Sequence, residues 1–116
     1  MKTQRDYLNE ILRRIEMIET YSGSDFTAFQ ASVLHQETVM RSFEIIGEIV
    51  KRIPADVLNQ RPEIPWRLLG DFRNLLIHEY DRVSLEVVWQ IIHRDVPPLK
   101  QAVQALLDAL PPETSG

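Results

Sequence analysis

The sequence predicts an all-α fold, an antiparallel helical bundle of four main helices plus one or two short ones. Apolar residues recur at helical intervals in every long segment, which is typical of amphipathic helices packed on a core. Short links that contain Gly, Pro or Ser separate these segments, and short links join neighbouring antiparallel helices. No internal repeat or low-complexity block argues for another architecture.

The first half of the chain predicts two long helices. The first runs from about Arg5 to Tyr21 and ends at residues 22–24, Ser-Gly-Ser. Residues 25–30 add one further turn, and the longest helix begins near Ser32 and runs to Arg52. Its apolar stripe consists of Val39, Phe43, Ile46, Val50 and Ile53.

The opposite face of this longest helix is charged. It carries Glu37, Arg41, Glu44, Glu48 and Arg52. The pairs Glu37 with Arg41 and Glu48 with Arg52 have the acid-first spacing that favours ion pairs on a helix. This face is either simply solvated, or Glu44 or Glu48 reaches the guanidinium of Arg73 and orients it.

The second half predicts a motif helix between two further elements. Pro54 ends the long helix, residues 55–60 form a short one, and Pro62 and Pro65 precede a helix that Trp66 anchors. Within that helix Gly70 either permits a close backbone approach or is a packing notch.

Two more helices are predicted after the motif. Ser84 is the N-cap of the first, whose inward residues are Leu85, Val88, Trp89 and Ile92. Asp95 is predicted as the N-cap of a separate last helix, because Pro97 and Pro98 fit only in a first turn, where the amide protons are unpaired. Residues 1–110 are predicted to form one domain and residues 111–116 a flexible tail.

Residues 73–80, Arg-Asn-Leu-Leu-Ile-His-Glu-Tyr, place polar and chemically capable side chains in what otherwise reads as a core helix. One predicted stripe contains Trp66, Leu69, Arg73, Leu76, Ile77 and Tyr80. A charged guanidinium in that stripe requires an anion, a partner chain or a path to water, because burying it unpaired costs several kcal/mol. Asn74 and His78 lie one turn apart on the adjacent face.

An arginine beside a histidine is suited to phosphodiester chemistry. The guanidinium of Arg73 matches two phosphate oxygens, and the imidazole of His78 can move a proton near neutral pH. RNA carries its own nucleophile, so strand scission would need no metal. The two residues lie about 140° apart around an ideal helix. They converge only if the helix ends near His78 or if a second subunit faces it. Small bundles often dimerise, so we expect a homodimer or higher homo-oligomer.

The R-x4-H-x-Y pattern, with Asn directly after the Arg, resembles the signature of HEPN domains, and more narrowly of HepT toxins paired with MntA nucleotidyltransferase antitoxins. Four further segments are similar to HepT sequences in order and spacing. They are residues 44–48, Glu-Ile-Ile-Gly-Glu; residues 62–66, Pro-Glu-Ile-Pro-Trp; and residues 85–89 with 95–99, Leu-Glu-Val-Val-Trp and Asp-Val-Pro-Pro-Leu. The resemblance covers roughly residues 5–110.

This resemblance implies a metal-independent ribonuclease toxin that needs no cofactor. Arg73 and His78 take the catalytic roles, Asn74 is a polar helper, and Tyr80 is the residue on which the antitoxin installs AMP to silence the nuclease. A bulky anion beside Arg73 would occupy the phosphate site. Many relatives have Gly where this chain has Glu79, so a carboxylate lies next to the expected site.

Composition limits the classes of function. The chain has 116 residues, 44% of them hydrophobic, no cysteine and a formal net charge of −4. It has no apolar stretch long enough to span a membrane and no thiolate metal site, and we expect a cytoplasmic protein. The net charge argues against a general nucleic-acid coat protein, and no DNA partner is expected. A non-catalytic adaptor or substrate of a nucleotidyltransferase remains the alternative to an RNA enzyme.

Overall fold

Six α-helices build the fold, and no strand occurs among residues 2–112, the part of the chain that this computed structural model describes. The helices are α1 (Gln4–Ser22), α2 (Phe26–Gln30), α3 (Val33–Val50), α4 (Ala55–Leu58), α5 (Trp66–His78) and α6 (Leu85–Ala109), with a 3-10 turn, Tyr80–Arg82, before α6. Four helices are long and two are short, so the predicted all-α bundle is confirmed.

Side chains fix the starts of the first three helices. Thr3 and Asp6 form a reciprocal capping box at the start of α1. Asp25 caps α2, and Ser32 caps α3 by accepting a hydrogen bond from the amide of His35. These caps satisfy amide protons that the first helical turn leaves without partners.

Helix α3 is the centre of the bundle, because it packs against both α1 and α5, and α1 packs in turn against α6. Helices α1 and α6 are antiparallel, since Arg5 donates to the carbonyl of Pro111 at one end while Lys100 pairs with Glu19 at the other. The buried core draws on every helix, and its fully buried members include Leu8, Ile11, Ile15, Ile18, Phe29, Val39, Ile46, Leu76, Val88, Val96 and Val103.

The indole of Trp66 fixes where the motif helix begins. Its Nε1 donates to the carbonyl oxygens of Leu58 and Arg61, each at 3.0 Å. Leu58 is the last residue of α4 and Arg61 lies three residues later, so the tryptophan ties the start of α5 to the end of α4. The prediction that Trp66 anchors this helix is confirmed.

The predicted break at Asp95 is wrong, because α6 continues without interruption through Pro97 and Pro98. Both prolines are exposed, and His93 and Arg94, whose carbonyls lose their helical donors, are exposed as well. Water can therefore satisfy those carbonyls. The apolar stripe keeps its register through the prolines, and its buried members are Val88, Ile92, Val96, Leu99, Val103 and Leu106. Burial of this stripe outweighs the two lost backbone bonds.

Three other predictions need correction or fall partly outside the structure. Ser84 occupies the N-cap position of α6, but its side chain makes no capping hydrogen bond. Ile77 and Tyr80 were expected in the core stripe, yet both are more than two-fifths exposed, because they lie at and beyond the end of α5. Of the predicted tail, residues 113–116 lie outside the described residues.

Candidate active site

The motif spans the end of helix α5 and the 3-10 turn that follows it. Arg73 and Asn74 lie within α5, His78 is its last residue, and Tyr80 belongs to the 3-10 turn. The chain leaves the helix at Glu79, whose φ and ψ are −137° and 39°, although its amide still donates to Leu75. The helix therefore ends at His78. This was one of the two conditions under which Arg73 and His78 were expected to converge.

The guanidinium of Arg73 is held from two directions. Its Nη2 lies 3.0 Å from Oε2 of Glu48 on α3, and its Nη1 donates to Oδ1 of Asn74 at 3.0 Å. Lys51 donates to the same Asn74 oxygen at 3.4 Å. A guanidinium has five N–H donors, so most of the donors of Arg73 remain for a ligand. Its side chain keeps 26% of its exposure, which leaves a path to solvent.

Gly47 allows Arg73 to come this close to α3. A Cβ atom at Gly47 would lie 2.6 Å from Cβ of Arg73 and 2.8 Å from the carbonyl oxygen of Leu69. Real side chains do not approach so closely, so only glycine fits at this crossing. Gly47 is not among the residues that the motif predicts for the site. A glycine inside a long, otherwise regular helix is the signal that points to such a contact.

The packing around Gly70 on α5 is looser than that around Gly47. A Cβ atom there would meet only the flexible end of Lys51, at 3.3 Å. Of the two alternatives for Gly70, the structure favours the packing notch.

Glu44, the other candidate orienting acid, does not contact Arg73. Its Oε2 pairs with Nη1 of Arg41 at 3.0 Å, one turn away on α3. The expected pair of Glu37 with Arg41 is therefore replaced by Glu44 with Arg41. The expected pair of Glu48 with Arg52 is confirmed, with 3.4 Å between the two side chains.

Tyr80 lies on the surface beside the acidic part of α3. Partial burial, followed by the nearby carboxylates of Glu37 and Glu44, raises the pKa of its phenol above the ordinary value. The phenol is thus protonated at neutral pH. Any reaction that uses its oxygen as a nucleophile needs a base from elsewhere.

The single chain does not bring Arg73 and His78 into one cavity. Arg73 lines a cleft of about 450 Å³ between α1, α3 and α5, whereas His78, Asn74 and Tyr80 do not line it. His78 is exposed on a face of α5 that also carries two exposed leucines, Leu68 and Leu75. Both candidate catalytic groups reach solvent, but they point in different directions, as the 140° separation predicts.

Two kinds of site are not found within residues 2–112. No three His, Cys, Asp or Glu side chains are grouped there in a way that could hold a metal ion. None of the helices in that range is long and apolar enough to cross a membrane.

A family model and several known proteins that resemble this chain are all described as ribonucleases. A protein-family model described as "Ribonuclease HepT-like" matches residues 11–106. A candidate RNase of Caldanaerobacter subterraneus subsp. tengcongensis is 36% identical over 108 residues, which are 92% of this chain and 96% of that protein. A candidate ribonuclease HepT of Thermococcus cleftensis is 39% identical over 106 residues, 90% of this chain and 96% of that protein.

A third relative joins two activities in its name. It is a gamma-glutamylcyclotransferase and candidate RNase of Methanocaldococcus jannaschii, 36% identical over 111 residues, which are 94% of this chain but 50% of that protein. No solved structure matches this chain.

Proposed function

Because this chain belongs to the HepT-like ribonuclease family, we propose that it is the toxin of a toxin–antitoxin pair, an endoribonuclease that cleaves RNA without a metal ion. The observation that carries this proposal is the Arg73 guanidinium, held by Glu48 and Asn74 at an open cleft with most of its donors unused. Such a preorganised fork matches the oxygens of a phosphodiester.

In the proposed reaction, His78 takes the proton from the 2′-hydroxyl of a ribose. The 2′-oxygen then forms a bond to the adjacent phosphorus, and the bond from phosphorus to the 5′-oxygen breaks. Arg73 stabilises the negative charge that develops on the phosphate, and the leaving 5′-oxygen gains a proton from water. The products are a 2′,3′-cyclic phosphate and a free 5′-hydroxyl, so no metal-activated water is needed.

The separation of Arg73 and His78 within one chain favours a homodimer as the active species. Ile77 stands next to His78, lines the cleft beside Arg73 and is 44% exposed. Burial of exposed apolar side chains is a common driving force for association. Two α5 helices that meet across a two-fold axis would place Arg73 of one chain and His78 of the other at a shared cleft.

RNA cleavage in the presence of excess EDTA is the direct test of this function. We expect the purified chain to cleave a single-stranded RNA under these conditions and to leave 2′,3′-cyclic phosphate ends, which electrophoresis with and without phosphatase treatment distinguishes. A chain that leaves RNA intact, with and without added Mg²⁺, but binds a nucleotidyltransferase would instead be the non-catalytic adaptor.

Regulation by a partner nucleotidyltransferase forms the second half of the proposal. We propose that a MntA-like enzyme transfers AMP from ATP to the phenol of Tyr80, which is 43% exposed and therefore accessible. The phenolic oxygen bonds to the α-phosphorus of ATP, and pyrophosphate leaves. Since the raised pKa keeps the phenol protonated, the partner enzyme supplies the base. The added phosphate lies beside the motif and competes with RNA for its cations.

Replacement of Tyr80 by phenylalanine is expected to abolish AMP addition while leaving RNA cleavage near the wild-type level. Phenylalanine keeps the ring but removes the only nucleophilic atom of the side chain. The measurement is the intact mass of the chain after co-expression with a MntA-like nucleotidyltransferase. Tyr21→Phe is the matched control and should still gain one AMP. A mass increase in Tyr80→Phe equal to that of the wild type would assign the modification to another residue.

A further inference from the structure

The cleft beside Arg73 contains cations that the proposed cleavage step does not use. It lies between α1, α3 and α5. Four cations line it, Lys2, Arg41, Arg52 and Arg73, together with three carboxylates, Glu10, Glu44 and Glu48. Its volume of about 450 Å³ falls within the range of ligand-binding pockets, roughly 300–1,000 Å³. The cleft is therefore large enough to hold part of a nucleotide strand.

The three arginines come from three places around the cleft. Arg41 lies on α3, Arg52 lies two residues beyond its end, and Arg73 lies on α5. The part of α3 from Arg41 to Val50 alone is about 14 Å long at ~1.5 Å per residue. Arg73 enters the cleft between them, because its partner Glu48 on α3 lies between Arg41 and Arg52. An extended strand of a few nucleotides covers this span.

The flanking arginines are available to an anion. Their side chains are 69% and 58% exposed, and their carboxylate partners are Glu44 for Arg41 and Glu48 for Arg52. Exposed ion pairs of this kind are weak, so a phosphate can share or displace the carboxylate. Contact with Tyr7, and then with Glu48, raises the pKa of Arg52, which is therefore always charged.

The apolar part of the cleft lining is suited to a base. It consists of Tyr7 from α1, Ile45 and Ile49 from α3 and Ile77 from α5. Aromatic and aliphatic surfaces accept the face of any base, so such a lining binds RNA without strong sequence preference.

We propose that this cleft is the path of single-stranded RNA, in which Arg41 and Arg52 contact the phosphates on either side of the one that Arg73 holds. This inference rests on the proposed ribonuclease function and adds substrate-binding residues that lie outside the R-x4-H-x-Y motif. The cations that line the cleft outnumber its carboxylates by one, although the whole chain has a net charge of −4, so the local charge there favours an anion.

Binding of a 2′-O-methyl RNA oligonucleotide across a salt series tests this path. The probe cannot be cleaved, because it has no 2′-hydroxyl. The logarithm of the affinity falls as the logarithm of the salt concentration rises. Arg41→Gln and Arg52→Gln are each expected to make this fall less steep by about 0.7, the value for one lost phosphate contact to a single strand. Arg94→Gln is the matched control, since Arg94 is equally exposed and paired with Asp95 but lies on α6. It should leave the slope unchanged.

Cleavage of unmodified RNA gives a second, independent readout. Both variants should raise KM and retain kcat, because Arg73 and His78 are untouched, and Arg41→Lys and Arg52→Lys should restore the salt slope. The lysine variants also keep the experiment informative if a glutamine variant folds poorly.

Three results would overturn the proposed path. Wild-type salt slopes in both glutamine variants would place the strand elsewhere while leaving the ribonuclease function intact. An equal loss in Arg94→Gln would show an effect of total charge alone. Loss of the dimer in either variant, measured by light scattering, would make the cleft an interface between copies. If the wild type does not cleave RNA, the proposed ribonuclease function is contradicted, and this outcome does not depend on how the variants bind the oligonucleotide.

Discussion

Replacement of His78 by alanine is expected to lower the rate of RNA cleavage by about 10²–10⁴-fold, the usual contribution of a general base. The imidazole is exposed at the end of α5 and makes no hydrogen bond or ion pair within the described residues. Its removal should therefore leave the free energy of unfolding almost unchanged. The measurement is the initial rate of RNA cleavage in EDTA, together with thermal unfolding followed by circular dichroism.

His93→Ala is the matched control for this experiment. His93 is also exposed, but it lies on α6, where its Nδ1 is 2.9 Å from the carbonyl oxygen of Trp89. We expect this variant to cleave RNA at close to the wild-type rate. A His78→Ala protein that cleaves RNA as fast as His93→Ala would remove His78 from the reaction.

A mixture of two inactive variants shows whether the site is shared between chains. Arg73→Ala and His78→Ala should each be inactive alone. In a mixed dimer, a site built from Arg73 of one chain and His78 of the other retains both groups, so partial activity should return after the two proteins are mixed and allowed to exchange subunits. A site built within one chain gives no such recovery, because every chain then carries one defect.

The largest expected loss of stability comes from Gly47→Ala. The new Cβ atom would lie well inside contact distance of Arg73 and of the Leu69 carbonyl, so α3 and α5 would have to separate. Overpacking of this kind costs about 1–3 kcal/mol. Denaturant unfolding at constant pH measures the change. Activity should fall as well, since the displacement moves Arg73 relative to Glu48.

Gly70→Ala provides the matched control at the same helix pair. Its Cβ atom would meet only the end of the Lys51 side chain, which can move aside. Alanine in the middle of a helix is favoured over glycine by roughly 0.5–1 kcal/mol, so this variant should be neutral or more stable than the wild type. Equal destabilisation by both substitutions would argue against a specific close contact at Gly47.

The helices themselves could be predicted from the sequence because their signals are local. Leu8, Ile11, Ile15 and Ile18 form a helical stripe within α1, and all four are buried. The stripe of α3 is buried in the same way. The predicted break at Asp95 failed because local proline chemistry competed with a non-local effect, the burial of one continuous apolar stripe along α6.

The residues of the candidate site could be found from the sequence, but their arrangement could not. Arg73, Asn74, His78 and Tyr80 stand in one motif, which is visible without coordinates. That Glu48 rather than Glu44 contacts Arg73 depends on where α3 and α5 cross, and Gly47 determines that crossing. The cleft that joins Arg41, Arg52 and Arg73 depends on three helices, so no single segment reveals it.

Because α6 runs without interruption through two adjacent prolines, its formation during folding depends on contacts with the other helices. A peptide of this sequence would not sustain one long helix by itself, since proline in a helix interior costs about 3 kcal/mol relative to alanine. Contact with the rest of the bundle must supply the difference. The continuity of α6 through Pro97 and Pro98 is thus a property of the assembled protein and depends on its packing against α1.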